Sequence, residues 1–418
     1  MQNINTFQSF LVLLKRTWDR SSRDEEGGTI SLAELFVGLQ YLMEKADKER
    51  EGRKIPRANI LRDPFVLINL RHYCMLAHGA YSESVTDICS KTPLMESDIV
   101  QFQLVSRQEQ PAYYLAVDHL TRNIVLSICG TKSFQDVLTD VNVETTEFLD
   151  GYAPKGMVAS VYWLQNQVLH TILEQMAEYP EYGVVFVGHS LGGAVATLLS
   201  LLLRKTLEIP VTCYSYGPPP CVCPSFVPLT KEFGVTTVIL DTDLIPRFNL
   251  ESLNLLVVEL KNLDWQQVYF HDSELHSKLF GAAANYLGQD TTQQISQQIS
   301  NYLRKGLRKG SQQVIEYGKN TLKSKFHNSN NMKEIAHLHQ KMSDWSRSYW
   351  SHWESSTKEM HPLKLAGNIW HIQREGNKYF AVESDQGDYW NRIEPSRQML
   401  HDHRISHIEL ALKDLQLE

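Results

Sequence analysis

The period of the apolar positions changes along the chain, and the changes mark its elements. Leu32, Leu35, Phe36, Leu39 and Leu42 recur at helical intervals behind Ser31-Leu-Ala-Glu34, whose Ser and Glu stand at capping-box spacing, so an amphipathic helix is predicted to start there. It runs into residues 44–54, where charges of both signs alternate with few apolar residues, the pattern of a solvated helix end or a linker. From about residue 60 short β-rich apolar runs take over, at 113–117, 124–128, 184–187, 211–214 and 236–240. Between them Val161, Leu164, Val168, Ile172 and Met176 mark one face of a helix that should stop near Pro180. Apolar strands alternating with helices predict an α/β fold around a mostly parallel sheet buried on both faces.

Beyond residue 262 the strand signals fade into a Gln-, Ser- and Lys-rich stretch. Ile295, Ile299, Leu303, Leu307, Val314, Leu322 and Phe326 are spaced mostly by threes and fours, which predicts a helical insertion over 262–360. Within it Arg304, Lys305, Arg308, Lys309, Lys319, Lys323 and Lys325 face the single acid Glu316, a basic amphipathic pattern suited to an anionic membrane or lipid-droplet surface. A solvated insertion is the competing reading, because Gly306, Gly310 and Gly318 would each cost a helix about 1 kcal/mol. The expected organisation is a helical accessory region over 1–60 and one α/β domain over 61–418 that carries this insertion.

Charge and composition narrow the partners. A net charge of −7 provides no global basic field, so nucleic acid is not an expected partner. The six cysteines, Cys74, Cys89, Cys129, Cys213, Cys221 and Cys223, lack the density of a disulfide scaffold and are expected as reduced thiols. No second pair follows Cys221-Val-Cys223 at zinc spacing, so no metal or other cofactor is expected. The apolar run at 10–14 has no basic residues before it, and no uncharged apolar stretch reaches the roughly 20 residues that span a bilayer. A cytoplasmic protein with at most peripheral membrane contact is the expectation.

The chemistry concentrates at 184–203, where Val-Val-Phe-Val-Gly-His-Ser-Leu-Gly-Gly passes from a strand into an apolar helix. That is the setting of a nucleophile elbow: Gly188 and Gly192 let the chain cross itself closely, and Ser190 is left at the tip. A serine nucleophile needs a base and an acid to orient that base. Asp241 and Asp243 follow the strand at 236–240. Asp243, before Leu-Ile-Pro, is the preferred acid, although spacing alone leaves the two nearly even. His401, His403 and His407 are the candidate bases, and composition does not choose among them. Upstream, Gly130-Thr131 ends a strand and could offer an N–H and a hydroxyl to an oxyanion, with the Leu191 N–H as the second donor.

These motifs together resemble the class 3 lipase family, in its intracellular branch related to sn-1-specific diacylglycerol lipases. The resemblance spans roughly 65–260 and 362–412 and is carried by Gly-Thr-Lys-Ser-Phe-Gln-Asp-Val-Leu-Thr-Asp140, Lys155-Gly-Met157, Gly-His-Ser-Leu-Gly-Gly193, Tyr-Gly-Pro-Pro-Pro220, Asp243-Leu-Ile-Pro-Arg-Phe248 and Met-Leu-His-Asp-His403. It departs from the family at Cys129, where arginine is usual, and at Pro154, where histidine is usual. The resemblance implies an α/β-hydrolase fold, with Ser190 as nucleophile, Asp243 as acid and His403 as base. It also implies Thr131 as the oxyanion residue, Asp140 as the acceptor fixing the Thr131 hydroxyl, and a lid over about 141–154. The implied reaction is deacylation of a glycerolipid, diacylglycerol foremost. A phospholipase A1 or galactolipase, and a lipase-like scaffold without catalysis, are the competing functions.

Overall fold

The computed structural model describes residues 2–21, 30, 32–131, 144–264, 268, 361–385 and 387–417. The chain divides into two compact units, Met1–Glu44 with Leu256–His352, and Lys45–Leu255 with Trp353–Glu418. The described part of the first contains α1 (Gln2–Ser21), the start of α2 (Leu32–Glu51) and the end of a helix at Leu250–Lys261. Within it Phe7 meets Phe36 edge to face at 5.9 Å, and the Lys261 ammonium lies 5.7 Å from the Trp18 ring. The helix expected from residue 31 is α2, which runs through most of the charged stretch; Ser31 itself lies outside the described residues.

The second unit is built on one sheet. Its strands are β1 (Ile99–Gln103), β2 (Tyr113–Asp118), β3 (Asn123–Ile128), β6 (Gly183–His189), β7 (Val211–Tyr216), β8 (Val235–Leu240), β9 (Asn368–Glu375) and β10 (Lys378–Ser384); β4 (Thr145–Phe148) and β5 (Gly151–Pro154) form a separate hairpin. The order is β1-β2-β3-β6-β7-β8-β9-β10, parallel from β3 to β9 and antiparallel at both ends. The helices after α2 are α3 (Pro64–Gly79), α4 (Val85–Lys91), α5 (Lys155–Glu178), α6 (Leu191–Leu207), α7 (Val227–Glu232), α8 (Leu250–Lys261) and α9 (Ile405–Lys413). The five sequence-predicted strands are β2, β3, β6, β7 and β8, and the predicted helix before Pro180 is α5. This is an α/β-hydrolase architecture, as the sequence implied.

Successive side chains of the central strands enter two cores. Val184 and Phe186 join Leu126, Val161, Leu164, Val168, Leu198 and Leu199 on the face covered by α5 and α6. Val185 and Val187 join Val125, Leu70, Leu76, Val238, Ile408 and Leu412 on the face covered by α3 and α9. Full burial of each such side chain contributes about 1.5–3 kcal/mol. α3 starts cleanly because Asp63 accepts the Phe65 N–H at 2.8 Å and Pro64 has no N–H to satisfy.

The segment implied to be a lid differs from that expectation where it is described. Residues 145–154 are the β4–β5 hairpin, and Phe148 and Ala153 sit in the α5–α6 core, with Phe148 edge to face against Phe226 at 6.4 Å. Burying Phe148 anchors this hairpin to the domain. Residues 141–143 and Asp140 lie outside the described residues, as do 269–360 with the basic stretch. Among the described residues no helix is long and apolar enough to cross a membrane.

Candidate active site

β6 delivers Ser190 to a turn that costs conformational energy. Ser190 has φ 56° and ψ −131°, a region that non-glycine residues rarely occupy, at about 1–3 kcal/mol. The surrounding backbone holds it there. The Ser190 N–H donates to the Tyr216 carbonyl at 2.8 Å, and the Ser190 carbonyl accepts from Gly193 N–H at 3.0 Å and Ala194 N–H at 3.2 Å. A Cβ at Gly188 would meet the Gly193 nitrogen at 2.6 Å, and one at Gly192 would meet Cys129 C at 2.7 Å and Gly130 N at 2.8 Å. Both glycines are therefore required by close approach of backbone to backbone, as the motif suggested.

The other two groups arrive from loops at the same end of the sheet. Asp243 follows β8, fully buried, with its N–H on the Leu240 carbonyl at 2.8 Å and its Oδ1 accepting the Ile245 N–H at 3.0 Å. His403 stands just before α9. Its Nδ1 lies 3.0 and 3.1 Å from the two Asp243 oxygens, and its Nε2 lies 2.9 Å from Ser190 Oγ. A carboxylate can only accept, so Nδ1 carries the proton and Nε2 is left to accept from the serine hydroxyl. Gly217, at φ +54°, makes room for the pair: a Cβ there would stand 2.7 Å from Asp243 Oδ2.

The alternatives left open by composition are separated by this geometry. Asp241 is on the β8 side of Asp243 and bonds through its backbone, its carbonyl accepting from His371 Nε2 at 2.8 Å. His401 and His407 pack against each other with their rings tilted and their centroids 5.1 Å apart. Gly130 lies beside Ser190, since a Cβ there would be 3.2 Å from Ser190 Cβ, and this puts the Gly130-Thr131 turn next to that residue; Leu191 opens α6 on the other side. Cys129, Cys221 and Cys223 are buried as free thiols. Among the described residues no group of His, Cys, Asp and Glu could hold a metal ion.

Two functional neighbours were not found by sequence reasoning. His189 Nε2 is 2.7 Å from the His403 carbonyl, its Nδ1 is 2.7 Å from the Tyr81 hydroxyl, and its ring packs 4.8 Å from the His403 ring. Burial, with His403 beside it, holds His189 well below the usual histidine range, so it is neutral. Because a carbonyl only accepts, Nε2 bears the proton and Nδ1 takes the Tyr81 hydrogen. Burial keeps that phenol protonated, well above its ordinary pKa. The chain thus fixes the His403 backbone through the residue that precedes Ser190. His189 was visible as a letter of the elbow motif, but Tyr81 is 108 residues away and carried no local signal.

The sheet order and the Ser190, His403 and Asp243 contacts have the geometry of a serine triad on an α/β-hydrolase fold. Residues 125–253 match the family model described as Lipase (class 3), and this stretch carries that family's pattern. Over 175 residues the chain is 31% identical to mouse diacylglycerol lipase-beta, covering 40% of this chain and 26% of that protein. Over 111 residues it is 34% identical to the secreted mono- and diacylglycerol lipase A of Penicillium cyclopium, covering 26% of this chain and 36% of that one. The matched stretch thus spans about a quarter to a third of these relatives' lengths. A solved lipase from Rhizopus microsporus var. chinensis superposes with a TM-score of 0.42 at 20% identity, over 46% of this chain and 72% of that one.

Proposed function

We propose that this protein is a serine lipase that hydrolyses glycerolipid esters, diacylglycerol foremost and at the sn-1 position, through an acyl-serine intermediate. The observation that carries the reading is the His403 ring held between Ser190 Oγ at 2.9 Å and the Asp243 carboxylate at 3.0 and 3.1 Å. Support for a glycerolipid substrate comes from the family match and from relatives whose names are diacylglycerol lipases.

In the proposed reaction Ser190 Oγ attacks the ester carbonyl while His403 Nε2 takes the hydroxyl proton. Asp243 stabilises the imidazolium that results. The Thr131 and Leu191 N–H groups face the oxyanion, and the positive N-terminus of α6 adds to that field. Collapse expels the alcohol, which takes its proton from His403. Water then repeats the sequence on the acyl-serine, giving its proton to His403 and releasing the fatty acid and free Ser190. The basic stretch from Arg304 to Lys325 is proposed to bring the chain to anionic lipid surfaces.

The test is labelling with a fluorophosphonate, together with hydrolysis of diacylglycerol presented in vesicles of rising anionic phospholipid content. The wild type should be labelled, and its rate should climb with anionic lipid. Ser190→Ala should lose labelling and fall about ten-thousandfold or more in rate. Equal labelling of both proteins would sink the nucleophile, and a rate indifferent to anionic lipid would remove the surface role.

A further inference from the structure

A second link joins the loops of acid and base. Thr242 immediately precedes Asp243, and Asp402 immediately precedes His403. Asp402 Oδ2 accepts both the Thr242 N–H at 3.1 Å and the Thr242 hydroxyl at 2.8 Å, and both residues are buried. The Leu244 N–H adds a parallel bond to the Met399 carbonyl at 3.1 Å. The acid and base loops are therefore tied one residue behind the reacting groups.

This tie is made by a carboxyl group in poor electrostatic company. From the β8 loop the half-buried Asp241 brings a second carboxyl group to bear on it. From β9 the Arg374 guanidinium stands 3.6 Å from Asp402 Oδ1 and also lies over the Tyr379 ring of β10. On its own loop it is flanked by His401 and Arg404, and α9 brings His407 toward Arg374. His371 on β9 is buried, neutral and committed to the Asp241 carbonyl, so it gives the pair no charge.

We propose that Asp402 is a positioning residue for the hydrolysis: through Thr242 its carboxylate ties the Asp243 loop to the His403 loop, and it holds them in register only while ionised. The inference rests on the hydrolase reading above. Burial, reinforced by Asp241, pushes the Asp402 carboxyl up to about 7, so the tie changes state near neutral pH. Ionised, it makes charge-assisted bonds to Thr242, about twice as strong as neutral ones. Protonated, it loses that strength and sets an O–H against the donors of Arg374.

The stability effect has the opposite sign from the catalytic one. An acid whose folded pKa is raised favours the folded state below its unfolded pKa, and that contribution is lost as pH rises through the folded value. Ionised Asp402 is thus a strain on the fold that the geometry of the triad requires. A merely structural residue would behave otherwise, losing stability on substitution.

The experiment is the pH dependence of kcat and KM on a soluble short-chain p-nitrophenyl ester for the full chain, with thermal melts at about pH 8. In the wild type, the acid-side fall of activity should include the protonation of Asp402 near neutral pH. Asp402→Asn should lose kcat on the order of tenfold with KM unchanged, should show an acid limb shallower than the wild type's, and should melt no lower than wild type. Thr242→Val should lose kcat in the same way while Thr242→Ser keeps it, and this pair decides the matter if Asp402→Asn fails to fold. Wild-type kcat and an unaltered acid limb in Asp402→Asn, or equal losses in Thr242→Val and Thr242→Ser, would overturn the tie while fluorophosphonate labelling leaves the hydrolase reading standing. A wild type that neither hydrolyses esters nor takes the label overturns both.

Discussion

The nucleophile turn and the acid–base loops reach the same point by different physics. Ser190 is held by contacts between main-chain atoms, where Gly188, Gly192 and Gly130 bring three segments closer than any Cβ would permit. Asp243 and His403 are held by buried polar side chains, including Asp402 on Thr242 and Arg247 on the Tyr389 hydroxyl at 2.9 Å. The first design tolerates no added atom. The second tolerates shape changes but not unbalanced charge, because a buried ion without its partner costs more than the pair returns.

Three substitutions test that contrast. Gly192→Val should be the most damaging, since its side chain would be driven into the Ile128–Gly130 backbone; a loss of about 4 kcal/mol or more is expected by denaturant unfolding. A tolerated valine would mean that the turn is not held by backbone proximity. Arg247→Met should cost about 3 kcal/mol, because it removes the guanidinium that lies 3.4 Å from Glu394 and 4.4 Å from the Tyr389 ring centroid. Adding Glu394→Gln should recover part of that loss; no recovery would show packing, rather than charge, to be what Arg247 supplies. The smallest effect has the opposite sign: Ser190→Gly should be more stable than Ser190→Ala by about 1 kcal/mol, because only glycine occupies φ 56° without strain. Equal melting points for the two would remove the strain argument.

The same contrast explains what could be read from the sequence. The elbow is contiguous, so glycine spacing, strand and helix appear within 184–203, and the strands buried on both faces announce themselves as unbroken apolar runs. β9 reads Asn-Ile-Trp-His-Ile-Gln-Arg-Glu, with His371 and Gln373 facing a buried polar network, so its alternation never looked like a core strand. β1, an edge strand with Val100 and Phe102 exposed, gave equally little signal. Ser190 and an acidic residue after β8 followed from the residues, whereas the choice of Asp243 and His403 needed the family resemblance. Tyr81, Thr242 and Asp402 act across 108 and 160 residues of sequence and carry no local pattern to mark them.

The parallel pairing of β8 with β9 bears on how such a chain can change. Thr236 to Leu240 are registered against Asn368 to Ile372, so the chain leaves the sheet after one strand and re-enters beside it. Doubling the length of a flexible connection adds only about 0.6 kcal/mol of closure entropy. The length of chain between Lys261 and Pro362 can therefore change during evolution while Leu365, Ala366 and Gly367 still dock beside β8 and His403 still returns to Ser190. The hydrogen-bonded strand pair works as a splice point, at which new material can enter the chain without disturbing the chemistry on either side.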